Sequence, residues 1–162
     1  MFTIRAYEPS DAPAVWSIFQ AVVAGGDSYA FDETYTEDQA LTFWTKPPAR
    51  GYVAVDDSGV VLGTCFLRPN QPGRGSHVAN AGFMTGRAAR GKGVGRAMGE
   101  FILAEARRLG FTAMQFNFVV STNAPAVALW IDLGFRVIGT VPRGFTHKDQ
   151  GPVDVYVMFR DL

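Results

Sequence analysis

The sequence predicts a single mixed α/β domain, and three observations lead to that prediction. The chain has 162 residues, the size of one domain, and 48% of them are hydrophobic, which is enough for a substantial core. Strand-like and helical segments follow one another in the order β-α-α-β-β-β-α-β-α-β-β. No repeat, linker or low-complexity tract divides the chain, so we expect residues 1–162 to form one domain.

Four helices are indicated by apolar periodicity and by end signals. Apolar residues recur at helical spacing over Val15–Val22, which predicts a first helix that is capped by Ser10 or Asp11 and ends at Gly25 and Gly26. Thr36 and Gln39 have the spacing of a capping box, which predicts the start of a short second helix. The third is expected over Gly93–Leu109 and the fourth over Ala124–Leu133.

Seven strands are indicated by β-branched and aromatic residues between turn signals. They are expected at Thr3–Ala6, Tyr52–Val55, Val60–Arg68, His77–Thr85, Ala113–Val120, Phe135–Val141 and Val153–Phe159. The turn residues Asp56 to Gly59 join the second and third strands as a hairpin. In the fifth strand the alternation predicts Met114, Phe116, Phe118 and Val120 on one face.

The composition excludes several classes of protein. One cysteine rules out an internal disulfide framework, and with two histidines it argues against a metal site. No run approaches the roughly 20 apolar residues of a membrane span, and the N-terminus lacks the pattern of a signal peptide. We therefore expect a cytoplasmic protein with no metal and no membrane partner.

The zero net charge hides a strong local asymmetry. Residues 1–57 carry nine acidic and three basic residues, whereas Ser58–Gly99 holds no Asp or Glu and six Lys or Arg. Eight of the eighteen glycines lie in Gly73–Gly99. An acid-free, cationic and glycine-rich stretch in a neutral chain predicts a local anion site and argues against nucleic acid as a partner.

The anion site is expected in the run Met84–Arg96, between a strand and a helix. Glycines there let phosphate oxygens approach backbone N–H groups at the positive end of a helix dipole, and neighbouring cations add charge. The glycines are Gly91, Gly93 and Gly95, and the cations are Arg90, Lys92 and Arg96. The pattern predicts a cradle for a pyrophosphate.

Two nucleotide motifs fit this run poorly. The dinucleotide fingerprint needs a third glycine where Met98 stands. A P-loop needs a hydroxyl residue where Gly93 follows Lys92.

A third pattern fits. Arg90-x-x-Gly93-x-Gly95 resembles the Q/R-x-x-G-x-G/A acyl-CoA loop of the GCN5-related N-acetyltransferase (GNAT) superfamily. The segment from Asn123 to Phe135, N-x-x-A-x-x-L-W-x-x-L-G-F, resembles a second signature of the same family. Two signatures extend the resemblance over most of the chain.

The resemblance implies a GNAT fold: a single mixed sheet with splayed central strands and helices on both faces. It also implies acetyl-CoA as the co-substrate. The coenzyme would be bound by Met84, Thr85, Arg90, Gly91, Lys92, Gly93, Val94, Gly95, Arg96 and Asn123. The implied reaction is transfer of an acetyl group to a primary or secondary amine of a small molecule or amino acid, by direct attack in a ternary complex.

This sequence departs from the family where proton transfer is concerned. Trp130 stands where the family usually has Tyr, and the strand His77–Thr85 lacks an acidic residue. Asn80 and Asn117 lie on the two strands expected to splay, and we predict that they position the substrate or a water. The alternative is that they satisfy neighbouring backbone at a sheet bulge. The pattern is also similar to enzymes that acetylate proline analogues.

The acceptor pocket is expected to include the segment between the first two helices. Tyr29, Phe31, Asp32, Glu33 and Trp130 are the candidate substrate-binding residues, with Asp32 or Glu33 attracting a cationic amine. The alternative for the loop residues is a surface loop with aromatic anchors. Relatives often pair through their late strands, so the resemblance favours a homodimer. Two other functions stay open: an acyl-CoA sensor without turnover and a protein or peptide N-acetyltransferase.

Overall fold

The computed structural model describes residues 1–162, and its centre is one sheet of seven strands. The strands are β1 (Phe2–Ala6), β2 (Arg50–Asp56), β3 (Val61–Pro69), β4 (Val78–Thr85), β5 (Ala113–Val120), β6 (Arg136–His147) and β7 (Gly151–Asp161). Their order across the sheet is β1-β2-β3-β4-β5-β7-β6. All neighbours are antiparallel except β4 and β5, so the sheet is mixed as predicted.

Four helices cover both faces of the sheet, as expected. They are α1 (Ala12–Gly25), α2 (Glu37–Thr45), α3 (Val94–Arg108) and α4 (Ala124–Asp132). α2 begins at the predicted capping box, in which the Thr36 hydroxyl accepts from the Gln39 N–H and Gln39 Oε1 accepts from the Thr36 N–H.

The two central strands separate soon after they meet. β4 and β5 pair only at Val78 with Ala113 and at Ala79 with Met114. Beyond Ala79 the strands diverge, and the backbone edges that face the gap lack a strand partner. This splay opens a cleft through the middle of the sheet.

Each face of the sheet has its own hydrophobic core. Met98, Ile102 and Met114 are fully buried in the cluster between the sheet and the α3/α4 layer. Trp44 and Val15 are buried in the cluster on the α1/α2 face. The splay lies between these two cores, which hold its walls in place.

A salt bridge fastens α1 to the first strand. The Arg5 guanidinium donates to both carboxylate oxygens of Asp11 at 2.8 Å, and the Glu8 N–H donates to the same carboxylate. These bonds hold the pKa of the buried Asp11 carboxyl below its usual range. The start of α1, and with it the helix that leads into the cleft, is thereby fixed to the sheet.

The strict alternation predicted for β5 is wrong beyond Phe116. A β-bulge shifts the register against β7 between Phe116 and Val119. Val119 is therefore buried in the α3/α4 core, while Phe118 is 40% exposed. The alternation fails because a bulge places one extra residue in the strand and reverses which side chains face inward.

β6 is longer than predicted. It extends to His147 instead of Val141 and pairs with β7 from Arg136 to His147, with register shifts between Val137 and Gly139 and between Val141 and Phe145. Its residues are mostly exposed, so its second half carries no apolar alternation that a sequence pattern could detect.

None of the helices combines the length and the apolar character that crossing a bilayer requires. The structure also brings no three His, Cys, Asp or Glu side chains together in a group that could hold a metal ion.

Candidate active site

A cavity of about 310 Å³ occupies the splay between β4 and β5. Its walls are mostly aromatic and apolar, with a few amide side chains. Of the predicted site residues, Tyr29, Phe31, Asn80, Asn117, Asn123 and Trp130 line it. The fold therefore brings residues from five separate segments to one cleft.

Tyr29 closes the edge of β4 that faces the cleft. Its hydroxyl donates to the Phe83 carbonyl oxygen and accepts from the Phe83 N–H, both at 2.8 Å. Phe83 lies in the part of β4 that has no partner in β5, so this one side chain satisfies the N–H and the C=O of Phe83 that face the gap. Burial raises the pKa of Tyr29 to about 12, which keeps the phenol neutral over the physiological range.

Asn80 has one half of its amide occupied and one half free. Its Oδ1 accepts from the Ala81 N–H at 2.8 Å, and this bond fixes the orientation of the side chain. The Nδ2 group makes no hydrogen bond with the protein, so its two donors remain available at the cavity wall. Asn80 therefore both satisfies a neighbouring backbone group and presents free donors at the cavity wall where a substrate or a water could bind.

Asn117 lies within the β5 bulge and belongs to a chain of amides. Its Oδ1 accepts from Gln115 Nε2 at 3.0 Å, and its Nδ2 donates to Asn70 Oδ1 at 2.6 Å. The side chain is exposed at the rim of the cavity. These bonds fix its orientation and leave one lone pair of Oδ1 and one N–H of Nδ2 without a partner in the protein.

Trp130 forms part of the aromatic wall. Its ring centroid lies 4.7 Å from that of Phe83 and 4.9 Å from that of Phe116. The residue is 8% exposed and its indole N–H makes no hydrogen bond with the protein. Trp130 can therefore shape the cleft and donate one hydrogen bond into it, but it cannot supply a proton near neutral pH.

Two aromatic residues of the cavity were not among the sequence predictions. Phe43 on α2 and Phe66 on β3 line its acceptor side. The Phe66 ring covers Gly82 so closely that a Cβ there would lie 2.4 Å from Cε1. The pairing of Phe66 with Gly82 across the β3–β4 hairpin was the available signal, since a glycine opposite a large ring leaves room for it.

A second cavity, of about 430 Å³, lies over the glycine-rich loop at the start of α3. Thr85, Arg90, Gly91, Gly93, Val94 and Gly95 of the predicted coenzyme residues line it. Arg87, which the predictions omit, lines it as well. The predicted cradle is therefore a concave surface at the N-terminus of a helix.

The loop leaves a set of backbone N–H groups without partners. The Arg90 N–H bonds to the Arg87 carbonyl and the Lys92 N–H bonds to the Ala89 carbonyl. By contrast, no protein acceptor is bonded to the N–H groups of Gly91, Gly93, Val94, Gly95 and Arg96. Five of the seven backbone N–H groups from Arg90 to Arg96 are therefore free to bind an anion.

The glycines of the loop differ in whether the backbone conformation requires glycine at their position. Gly91 and Gly93 have φ values of 72° and 70°, a left-handed conformation that other residues adopt at a cost. Gly95 is helical, and a Cβ there would approach only Leu129, at 4.0 Å. The absence of a side chain at Gly95 is therefore not required by the fold.

The charged side chains of the loop point in different directions. Arg90 and Lys92 are exposed and unpaired, although only Arg90 lines the second cavity. Arg96 donates to Asp132 of α4 at 2.8 Å and lies 3.9 Å from Glu100. Since its guanidinium is occupied, Arg96 offers chiefly its backbone N–H.

Met84 differs from its neighbours in β4. The Gly86 N–H donates to the Leu62 carbonyl and the Asn70 N–H to the Val78 carbonyl, so alternate residues of β4, including Met84, bond to β3. The Met84 side chain is buried in the α1/α2 core. The backbone groups that face the cleft are those of Ala81, Phe83 and Thr85, which only the strand register reveals.

Asp32 and Glu33 lie outside the cleft. Both are exposed, and neither lines the cavity. Asp32 Oδ1 accepts from the N–H and the hydroxyl of Thr34 at 2.8 and 2.7 Å, which lowers the pKa of the carboxyl. This turn orients the loop that carries Tyr29 and Phe31.

Tyr29 is the one titratable side chain that lines the cleft. No Asp, Glu, His or Lys lines it, and Cys65 behind β4 is buried with a raised thiol pKa. Chemistry in this cleft must therefore depend on orientation and hydrogen bonding, since no side-chain base with a suitable pKa is at hand.

The hairpin of β6 and β7 reaches the end of α1. The Lys148 N–H donates to the Gly26 carbonyl at 2.9 Å, and a Cβ at Gly26 would lie 2.8 Å from Lys148 Cβ. This contact joins the hairpin tip to the segment that leads into the Tyr29 loop.

Comparison with known proteins agrees with this architecture. The family model described as the Acetyltransferase (GNAT) family matches residues 15–135. A GCN5-related N-acetyltransferase structure from Kribbella flavida is 48% identical, with 99% of this chain and 98% of that one covered and a TM-score of 0.95. The structure of yncA from Salmonella typhimurium, determined with its cofactor acetyl-CoA, is 25% identical, covers 100% and 94%, and has a TM-score of 0.87. N-acetyltransferase aca1 of Schizosaccharomyces pombe is 31% identical over 148 residues, which span 82% of this chain and 71% of the relative.

The family model covers most of the chain, including both signatures, and the splayed sheet is the fold of its structural neighbours. The chain belongs to the GNAT family and is an acetyltransferase. The predicted family, fold and enzyme class are thereby confirmed.

Proposed function

We propose that this enzyme transfers the acetyl group of acetyl-CoA to the amine of a small molecule. The observation that carries the proposal is the pair of cavities along β4, one lined by unpaired amides and the other by aromatic side chains. The first suits a diphosphate and the second suits a thioester beside a compact amine.

The coenzyme would be held from the loop to the splay. The free N–H groups of Gly91, Gly93, Val94, Gly95 and Arg96 would bind the diphosphate, with Arg90 adding charge. Lys92, exposed beside the loop, would contribute at longer range. Thr85 and Asn123 would contact the pantetheine arm, because Thr85 offers cleft-facing backbone and Asn123 lines the cavity.

The reaction would proceed by direct attack. The neutral amine nitrogen forms a bond to the thioester carbonyl carbon, the C–S bond breaks, and the proton lost by nitrogen passes through water to the departing thiolate. The products are an N-acetyl amide and coenzyme A. A thiol has a pKa near 8.5, so its thiolate can leave without a strong acid, and Trp130 in place of Tyr is tolerable.

The chain's own residues would act by positioning. Asn80 and Asn117 would hold polar groups of the acceptor or the water that carries the proton. Tyr29, Phe31 and Trp130 would confine the amine, while Asp32 and Glu33 would influence only its approach, from outside the cleft. The cavity of about 310 Å³ with its aromatic walls favours a small molecule over a polypeptide.

A thiol-release assay tests this function. The purified enzyme is given acetyl-CoA with a panel of amines, amino acids and basic peptides. We expect release of coenzyme A with small amines or amino acids and little with peptides. Tight acetyl-CoA binding without release on any acceptor would instead identify a sensor, and preference for peptides would identify a protein acetyltransferase.

We also propose a homodimer that functions in the cytoplasm, where acetyl-CoA is available. β6 is an edge strand, and Val137, Ile138 and Val141 on it are 42–51% exposed. A long edge with exposed apolar side chains is a favourable surface for a second copy of the chain.

A further inference from the structure

Arg68 near the end of β3 is held in place but uses none of its hydrogen-bonding capacity. Its guanidinium carbon lies 4.5 Å from the ring centroid of Phe43 and 5.5 Å from that of Phe66. The group makes no ion pair and no hydrogen bond with the protein. Stacking offsets part of the cost of ordering this side chain, while five donors remain free.

Arg68 lies next to the cleft, although its side chain is not among those that line the cavity. Phe43 and Phe66, the rings on which it stacks, both line the cavity. Arg68 also pairs with Asn80 across the β3–β4 ladder, and residues directly opposite each other project from the same face with Cβ atoms about 5 Å apart. The charge is therefore adjacent to the amide that lines the cleft.

Two sets of donors on this face of the β3–β4 ladder have no acceptor in the protein. Because Asn80 Oδ1 is bonded to the Ala81 N–H, the free part of the amide is the donor Nδ2. No Asp or Glu lines the cavity, so an anionic ligand would meet no like charge among its walls. A planar guanidinium next to an amide donor is suited to binding a carboxylate or a similar oxyanion.

We propose that Arg68 and Asn80 form a subsite for an acidic group of the acceptor. The substrate class is then an amine that carries a carboxylate or comparable oxyanion within a few bonds of its nitrogen, as an amino acid does. The inference rests on the proposed acetyl transfer to a small amine and specifies which amines are chosen.

The test compares each acceptor as a free acid and as its carboxamide. L-Methionine, L-proline and L-phenylalanine are supplied in both forms to the wild type and to Arg68→Gln, and kcat/KM is measured by thiol release. We expect the acid-to-carboxamide ratio to fall 10- to 100-fold in Arg68→Gln, mainly through a higher KM for the acid. Comparing ratios cancels the different basicity of the two amines.

Two further variants control for charge and for folding. Arg107→Gln removes the same charge from an exposed, unpaired position on α3 and should leave the ratio unchanged. Arg68→Lys keeps the positive charge but lacks the planar guanidinium, so its acid-to-carboxamide ratio should lie between those of Arg68→Gln and the wild type. A ratio that Arg68→Gln leaves unchanged would overturn the subsite.

Binding without turnover separates this inference from the proposed function. Calorimetry measures the affinity of each free acid and its carboxamide for the wild type and for Arg68→Gln, both proteins saturated with coenzyme A. Acid binding that weakens at least 10-fold in the variant supports the subsite even if no acceptor is acetylated. Equal binding of acid and carboxamide to the wild type refutes the subsite even if acetylation is observed.

Discussion

At the residue scale, the Tyr29 hydroxyl performs the hydrogen bonding that a neighbouring strand would otherwise provide. It joins two points that are 54 residues apart and satisfies both backbone groups of Phe83. The sequence indicated Tyr29 as a candidate residue of the acceptor pocket or as an aromatic anchor of a surface loop, and neither interpretation included this bond. A bond over such a separation depends on the tertiary fold, so no local pattern could predict it.

Tyr29→Phe removes this hydroxyl and keeps the ring. We expect the free energy of unfolding to fall by about 1–2 kcal/mol, because the Phe83 groups lose their partner. Urea unfolding measures the change. Between pH 6 and 10 the shape of the pH–rate profile should stay that of the wild type, since a phenol with a pKa of about 12 does not titrate there.

Tyr35→Phe is the matched control, because the Tyr35 hydroxyl in the same loop makes no hydrogen bond. Its stability should equal that of the wild type. If Tyr29→Phe shifted the pH profile within this range, the phenol would be taking part in proton transfer, which would contradict a purely structural role for its hydroxyl.

At the scale of single elements, the loop before α3 was the most predictable part of the site. Glycine spacing, local charge and a strand-to-helix setting all indicated it, since each is a local property of the sequence. Which amides are free was not predictable, because it depends on the internal bonds of Arg90 and Lys92. The β5 bulge could not be predicted from the sequence either, because it depends on how β5 pairs with β7.

Gly95→Ala separates the needs of the fold from those of ligand binding. Alanine is favoured over glycine in a helix, and the new methyl group meets only Leu129 at 4.0 Å. We expect the unliganded protein to be more stable by about 0.5 kcal/mol. The same methyl group occupies the space above the amides, so affinity for coenzyme A should fall about 10-fold by calorimetry, or roughly 1.4 kcal/mol.

Gly139→Ala provides the comparison, because a Cβ at that strand position also meets open space and lies far along the chain from the loop. Coenzyme affinity should be unaffected there. Unchanged affinity in Gly95→Ala would show that the diphosphate does not approach this turn of α3.

At the scale of the whole molecule, two cores meet at one cleft. The α3/α4 core holds Phe116 and Trp130, and the α1/α2 core supports Tyr29 and Phe31. The order of elements and the two signatures indicated this architecture. The acceptor side was less predictable, because Phe43, Phe66 and Arg68 come together only through packing of α2 on the sheet.

The homodimer is a prediction for the assembled molecule. Size-exclusion chromatography with light scattering should give twice the mass of one chain for the wild type. Ile138→Lys places a charge on the exposed apolar face of β6 and should shift the mass to that of one chain.

Ile131→Lys, at a 55% exposed position on α4, should leave the dimer intact. A single-chain mass for the unmodified protein would refute the homodimer directly.

The unpaired segment of β4 also has a meaning for misfolding. A strand with open N–H and C=O groups is a template on which foreign extended chains can add, and a split sheet carries such a template in its interior. The Tyr29 hydroxyl bonds both backbone groups of Phe83 and Asn80 Oδ1 bonds the Ala81 N–H, while aromatic rings line the cavity beside them. The molecule can thus keep its sheet open for chemistry without offering neighbouring chains a place to polymerise.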